Sequence, residues 1–124
     1  MASKNYINNK TFYTELVKYN TEYDLCVKEN KPLPRVSEYI GKCIWLIAER
    51  LATKRNFSGY SYIDEMKSDG IEDCFKYLRT FDPNKSTQAF GYFTQAIKFA
   101  FIRRINEEKK LQYIKLQINS LIKS

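Results

Sequence analysis

Between residues 61 and 110 the chain reads SYIDEMKSDGIEDCFKYLRTFDPNKSTQAFGYFTQAIKFAFIRRINEEKK, two helix-length stretches of different chemistry parted by one break. In the first stretch Ile63, Met66, Ile71, Phe75 and Leu78 recur at roughly helical spacing. Asp64, Glu65, Asp69, Glu72 and Asp73 crowd its N-terminal part, where acid suits the positive end of the helix dipole. Phe81-Asp82-Pro83-Asn84-Lys85-Ser86 ends it, because Pro83 disfavours helical geometry at the residue before it and Asp-Pro-Asn is turn chemistry. Thr87 is the expected N-cap of the second helix. That helix sets Phe90, Phe93, Ile97, Ala100, Phe101 and Ile105 on one side, with Tyr92, Lys98, Arg103, Arg104, Lys109 and Lys110 partly elsewhere. It is packed on one face and basic on the other.

The flanking chain supports this pair with more helix. Phe12, Leu16, Tyr19, Tyr23 and Cys26 step by four, three, four and three residues, which predicts an amphipathic helix over 11–30. Lys31-Pro32-Leu33-Pro34-Arg35 breaks it. Ser37 caps the next helix, with Glu38 in its first turn and Ile40, Cys43, Ile44, Ile47, Ala48 and Leu51 at helical spacing. Trp45 falls beside that stripe or on its exposed edge. Phe57-Ser58-Gly59-Tyr60 reads as a loop whose aromatics pin it to the core. Past Lys110, the residues Leu111, Ile114, Ile118 and Leu121 form a short heptad-like stripe. This stripe either continues the basic helix or turns back; the expectation is that it closes the same core, and docking on another protein is the alternative. The architecture is therefore all-α, a compact bundle of about five helices, organised as a polar segment 1–10, a helical domain 11–110 and an amphipathic C-terminal helix 111–124.

Composition narrows the chemistry. A chain of 124 residues is one domain by length, able to bury roughly two-thirds of its unfolded surface. Lys+Arg 21 against Asp+Glu 14 leaves +7, which points to a polyanionic partner such as nucleic acid. There is no histidine, so the commonest general base and the commonest metal ligand are both missing. Cys26, Cys43 and Cys74 are odd in number and widely spaced, suggesting neither disulfides nor a metal site, and each reads as a small buried apolar residue. No phosphate loop or nucleophile elbow can be assembled, so no catalytic residue, metal or cofactor is expected. The acidic cluster could offer oxygen ligands, but Asp69 and Asp73 face one way on a helix while Glu72 is turned off. A solvated acidic turn is the commoner explanation. No apolar run approaches the roughly 20 residues of a membrane span and no signal peptide is visible, so a cytoplasmic protein without a membrane partner is expected.

Arg103-Arg104 and Lys109-Lys110 need bind nothing, since bases late in a helix complement its dipole. What favours nucleic acid is their coincidence with Phe90, Tyr92, Phe93, Phe99 and Phe101 on one element. Ten tyrosines and eight phenylalanines leave some rings for contact surfaces. Base–aromatic stacking is worth about 1–3 kcal/mol per base, so such a helix can hold unpaired strand.

These residues also resemble a known family. Ile63 to Arg104 resembles region 2 of bacterial sigma factors: an acidic helix, a Phe-Asp ending, a short basic turn, then a helix with Tyr-x-Thr followed by aliphatic and basic positions. The chain is similar in particular to the late-transcription sigma factors of T-even-like phages. The similarity rests on Tyr-Ile-Asn-Asn-Lys at 6–10, Leu-Ile-Ala-Glu at 46–49, Asn-Phe-Ser-Gly-Tyr at 56–60, Asp-Gly-Ile-Glu at 69–72, Phe-Asp at 81–82, Thr-Gln-Ala at 94–96, Ala-Phe at 100–101 and Arg-Ile at 104–105. The resemblance implies that Glu65, Met66, Asp69, Gly70 and Glu72 dock on the clamp helices of the largest subunit of core RNA polymerase, in an infected bacterial host. Acid facing a basic coiled coil agrees with that role.

It further implies that the next helix reads a minus-ten-like, AT-rich promoter element and holds its unpaired strand. Tyr92 and Thr94 match the strand-binding Tyr-x-Thr, Lys98, Arg103 and Arg104 would contact phosphates, and Phe99 adds a ring. Gln95 and Ala96 stand where housekeeping sigma factors carry two tryptophans that wedge the duplex, so Tyr92 or Phe93 would have to supply the stacking. No region 4 is recognisable before Ser124. The family's hydrophobic-acidic sliding-clamp motif is not recognisable in Asn119-Ser120-Leu121-Ile122-Lys123, so a sliding clamp and a coactivator are partners implied by the resemblance alone. Two other readings stay open: a polymerase-binding regulator that reads no promoter, and a nonspecific basic DNA-binding protein.

Overall fold

Asn8 opens the first helix, its side chain accepting a hydrogen bond from the Thr11 backbone N–H at 3.1 Å. In a computed structural model that describes residues 8–82 and 88–123, α1 (Asn9–Lys28) therefore begins two residues before the helix start at 11 that the sequence predicts. Its end is built by Asn30 at φ 60, a left-handed position that asparagine tolerates better than most side chains. The Asn30 N–H reaches the Val27 carbonyl at 3.3 Å and the Lys31 N–H the Cys26 carbonyl at 2.9 Å, which satisfies two of the helix's last carbonyls.

Ser37 caps α2 (Glu38–Ala52) as expected, its Oγ accepting from the Ile40 N–H at 3.2 Å. Ile40, Cys43, Ile44, Leu46, Ile47, Ala48 and Ala52 are buried, while Trp45 sits on the exposed edge. The segment 57–60 is not wholly a loop: Arg55–Ser58 makes one helical turn, α3. Its Phe57 is buried with its ring edge-on to Phe101, centroids 5.2 Å apart, so the expected pin is made.

The acidic helix α4 (Ile63–Tyr77) and the aromatic helix α5 (Ala89–Lys123) share the largest interface in the fold. Phe93, Ile97 and Phe101 of α5 are sealed from solvent against Phe12 and Leu16 of α1, Ile44 and Ile47 of α2, and Met66 and Cys74 of α4. The phase of α4 differs from its apolar pattern. Met66, Gly70, Asp73 and Cys74 face inward, while Phe75 is exposed and Ile63 and Ile71 are only half-buried. A Cβ on Gly70 would lie 2.9 Å from Ile97 Cγ2, so α5 packs on α4 at a residue with no side chain, which turns that side of α4 inward. Phe90 is likewise at the surface, displaced by the buried Ala89.

Polar links among the described residues fasten α1 to the pair, Asn20 Nδ2 donating to the Leu78 carbonyl at 3.1 Å among them. Asn9 Oδ1 accepts from the Phe90 N–H at 2.8 Å, capping the start of α5 from across the fold. Thr87, the expected cap, lies outside the described residues. Asn9→Ala is expected to cost about 1 kcal/mol of unfolding free energy, read by chemical denaturation. Arg79, just past α4, donates to the Asn20 carbonyl and side chain at 3.2 and 2.9 Å and to Asp24, and its guanidinium lies 4.1 Å from the Tyr23 ring centroid.

The C-terminal stripe does not turn back onto the core. It continues α5, whose 35 residues span about 52 Å, and no described residue beyond Ile105 is buried. All regular elements among the described residues are helical, and no described helix is long and apolar enough to cross a membrane.

Candidate nucleic-acid interface

One turn of α5 faces the end of α4 across a shallow, mostly apolar groove of about 480 Å³, lined by Tyr77, Thr80, Tyr92, Gln95, Ala96 and Phe99. Helical spacing puts 92, 95, 96 and 99 on one side, opposite the residues that fill the core. Tyr92 is held in place. Its hydroxyl is 2.8 Å from Thr80 Oγ1, and its ring packs edge-on against Phe81 and Phe93 with centroids 5.3 and 5.0 Å away. Phe99 is 64% exposed, so the groove presents this ring to solvent. Lys98 is exposed beside it. The arrangement offers flat apolar faces, a primary amide at Gln95 and one cation, which suits stacking on planar bases better than gripping a charged backbone.

The other residues predicted to touch nucleic acid lie elsewhere. Phe93 has no exposed surface and belongs to the core, so it supports Tyr92 from beneath. Thr94 donates its hydroxyl proton to the Phe90 carbonyl at 2.7 Å. Arg104 donates from Nε and Nη2 to both carboxylate oxygens of Asp69 at 2.7 and 3.0 Å, and from Nη1 to Glu108 at 3.3 Å. Arg103 Nη1 donates to Asp73 Oδ2 at 2.8 Å. These hydrogen bonds raise both guanidinium pKa values. The two arginines fasten α5 to α4; Arg104 is engaged through all three nitrogens, whereas Arg103 makes one hydrogen bond to Asp73 and keeps its side chain half-exposed.

The same clasp revises the expected docking face on α4. Met66 has no exposed surface and Gly70 is buried against Ile97, so neither presents a side chain to a partner. Asp69 is engaged by Arg104. Glu65 and Glu72 remain on the surface, Glu72 within 3.3 Å of Lys76. The shared facing of Asp69 and Asp73 was legible from their spacing, and the signal that they pair internally was present too: two adjacent arginines on the partner helix. Tyr77 and Thr80 gave no such signal, because they reach the groove only through the packing of α4 on α5.

The cysteines are free, with Cys43 and Cys74 buried and Cys26 half-buried. Burial pushes the Cys74 thiol up to about 12, and its Sγ lies 3.8 Å from the Phe93 carbonyl. A folded-state value raised above 9.0 means that the thiol's contribution to stability is full below pH 9.0 and is lost as pH climbs toward about 12. Maleimide at pH 8 is expected to label Cys26 in the folded protein and all three thiols in denaturant, as counted by intact mass. No group of three or more acidic, cysteine or histidine side chains among the described residues is arranged to hold a metal ion. The chain matches no protein-family model and no curated protein.

Proposed function

We propose that the chain is a sigma-factor-like initiation protein of a phage, which binds host core RNA polymerase and directs it to late promoters by holding the unpaired strand of a minus-ten-like, AT-rich element. The observation that carries this reading is the groove at Tyr92, Gln95 and Phe99, whose rings are held open to solvent on the helix that the resemblance assigns to strand binding. Lys98 supplies the phosphate contact. Exposed Glu65 and Glu72 on the adjoining helix supply charge for a basic polymerase surface.

Run-off transcription with core polymerase tests it, alongside fluorescence anisotropy on an AT-rich single-stranded oligonucleotide in the presence of polymerase. Tyr92→Ala and Phe99→Ala are each expected to weaken strand binding by about 1–3 kcal/mol, roughly five- to 150-fold. The double variant Glu65→Lys, Glu72→Lys is expected to lose polymerase while keeping its fold. Absence of any promoter-specific product, with or without sliding clamp and coactivator, overturns the reading.

The occupied arginines favour one second reading, a polymerase-binding regulator that reads no promoter. It predicts that Tyr92→Ala and Phe99→Ala leave function intact while the Glu65, Glu72 variant abolishes it.

A further inference from the structure

The far end of α5 carries a surface chemically unlike the groove. From residue 109 to 123 every position is exposed, and Lys109, Lys110, Lys115 and Lys123 occur there with no Asp or Glu. An isolated helix of this length is marginal in water. Along it Leu111, Ile114 and Ile118, at 51%, 41% and 49% exposure, fall on one seam with steps of three and four, and Leu121 is next in register. With Leu111 at heptad position a, Ile114 is d and Ile118 is a, while Lys110 and Lys115 take the flanking g and e positions.

Those lysines decide what can cover the seam. In a parallel pair of copies a g residue faces the e residue five positions on in the other chain, so Lys110 would meet Lys115 on both sides. A parallel second copy is therefore disfavoured by like charge. A lipid surface is a poorer fit as well, because Tyr113 and Leu116 occupy the outer c and f positions and the helix is not divided into one wide apolar face and one polar face. An aliphatic seam edged by carboxylates matches both features.

We propose that residues 110–121 are a docking helix for an acidic α-helical protein partner, one that lays aliphatic side chains into the Leu111–Ile114–Ile118 seam and sets Asp or Glu against Lys110 and Lys115. The inference is independent of strand binding, since none of these residues lines the groove.

Two synthetic three-heptad peptides test it, both with leucine at a and d, one with Glu and the other with Lys at e and g. Each is titrated with the full chain by fluorescence anisotropy. The acidic peptide is expected to bind at least about tenfold more tightly than the basic one. Ile114→Ser, Ile118→Ser should abolish that binding without moving the thermal melt, and Lys110→Glu, Lys115→Glu should invert the preference. Equal binding of both peptides, or binding of neither, overturns the proposal. It is also overturned if the chain sediments as a dimer that Ile118→Ser makes monomeric, or if it binds vesicles of phosphatidylserine in phosphatidylcholine while ignoring the acidic peptide.

Discussion

Phe93→Ala lowers the unfolding free energy by about 3–5 kcal/mol, the range for deleting a fully buried ring, and the midpoint of thermal unfolding falls by about 10–20 °C. Phe93 has no exposed surface, and its ring meets Phe12 at 5.6 Å and Phe81 at 6.0 Å between centroids, so truncation opens a cavity among rings from three parts of the chain. Tyr92 beside it behaves differently. Its ring is 37% exposed and its hydroxyl is bonded to Thr80, so Tyr92→Ala is expected to cost about 1 kcal/mol of stability. Calorimetry on the two variants separates support from contact. If Phe93→Ala melted with the unsubstituted protein, the ring would not be the core residue described above.

Gly70→Val is expected to cost about 2–3 kcal/mol, a net of overpacking against the small helix-propensity gain of leaving glycine. Even a first carbon at this site lies 2.9 Å from Ile97 Cγ2 and 3.4 Å from its Cβ and Cγ1, and Ile97, β-branched and sealed, has one comfortable rotamer in a helix. The strain is relieved only by parting α4 from α5, which draws Asp69 and Asp73 away from Arg104 and Arg103. Gly41 on α2 is the internal control. Nothing lies within 4 Å of a Cβ built there, so Gly41→Ala is expected to stabilise by up to about 1 kcal/mol. Urea titration of the two variants should give shifts of opposite sign; shifts of the same sign would refute the close approach.

The parts of this fold that were legible in the sequence are those where one residue or one period decides the outcome. Ser37 is a cap wherever a helix follows it, and the stripe from Ile40 to Ala48 has a single buried side to offer. The phase of α4 was harder, because hydrophobicity counts Phe75 and Ile71 as inward while packing prefers Gly70 and the charged Asp73. Only the partner helix makes sense of that choice, since Ile97 fills the space that glycine leaves and Arg103 neutralises the buried acid. The same blindness affected the candidate site. An arginine reads as a phosphate ligand and as a structural clasp in the same letters, and the structure adds that Arg103 and Arg104 are both paired with carboxylates of α4. The groove at Tyr92 and Phe99 was half visible, as exposed rings on a basic helix. Its other wall, Tyr77 and Thr80, depends on tertiary contact.

Because α5 is one unbroken helix, its ends are mechanically joined. The segment past Ile105 is a lever arm of about 27 Å, held helical by whatever docks on it, whose fulcrum is the ring-packed core at Phe101. Whatever grips the tip fixes the azimuth of the Tyr92–Phe99 turn about the helix axis, at about 100° for each residue inserted between them. A one-residue insertion near Lys109 would leave both surfaces chemically whole and aim them in different directions.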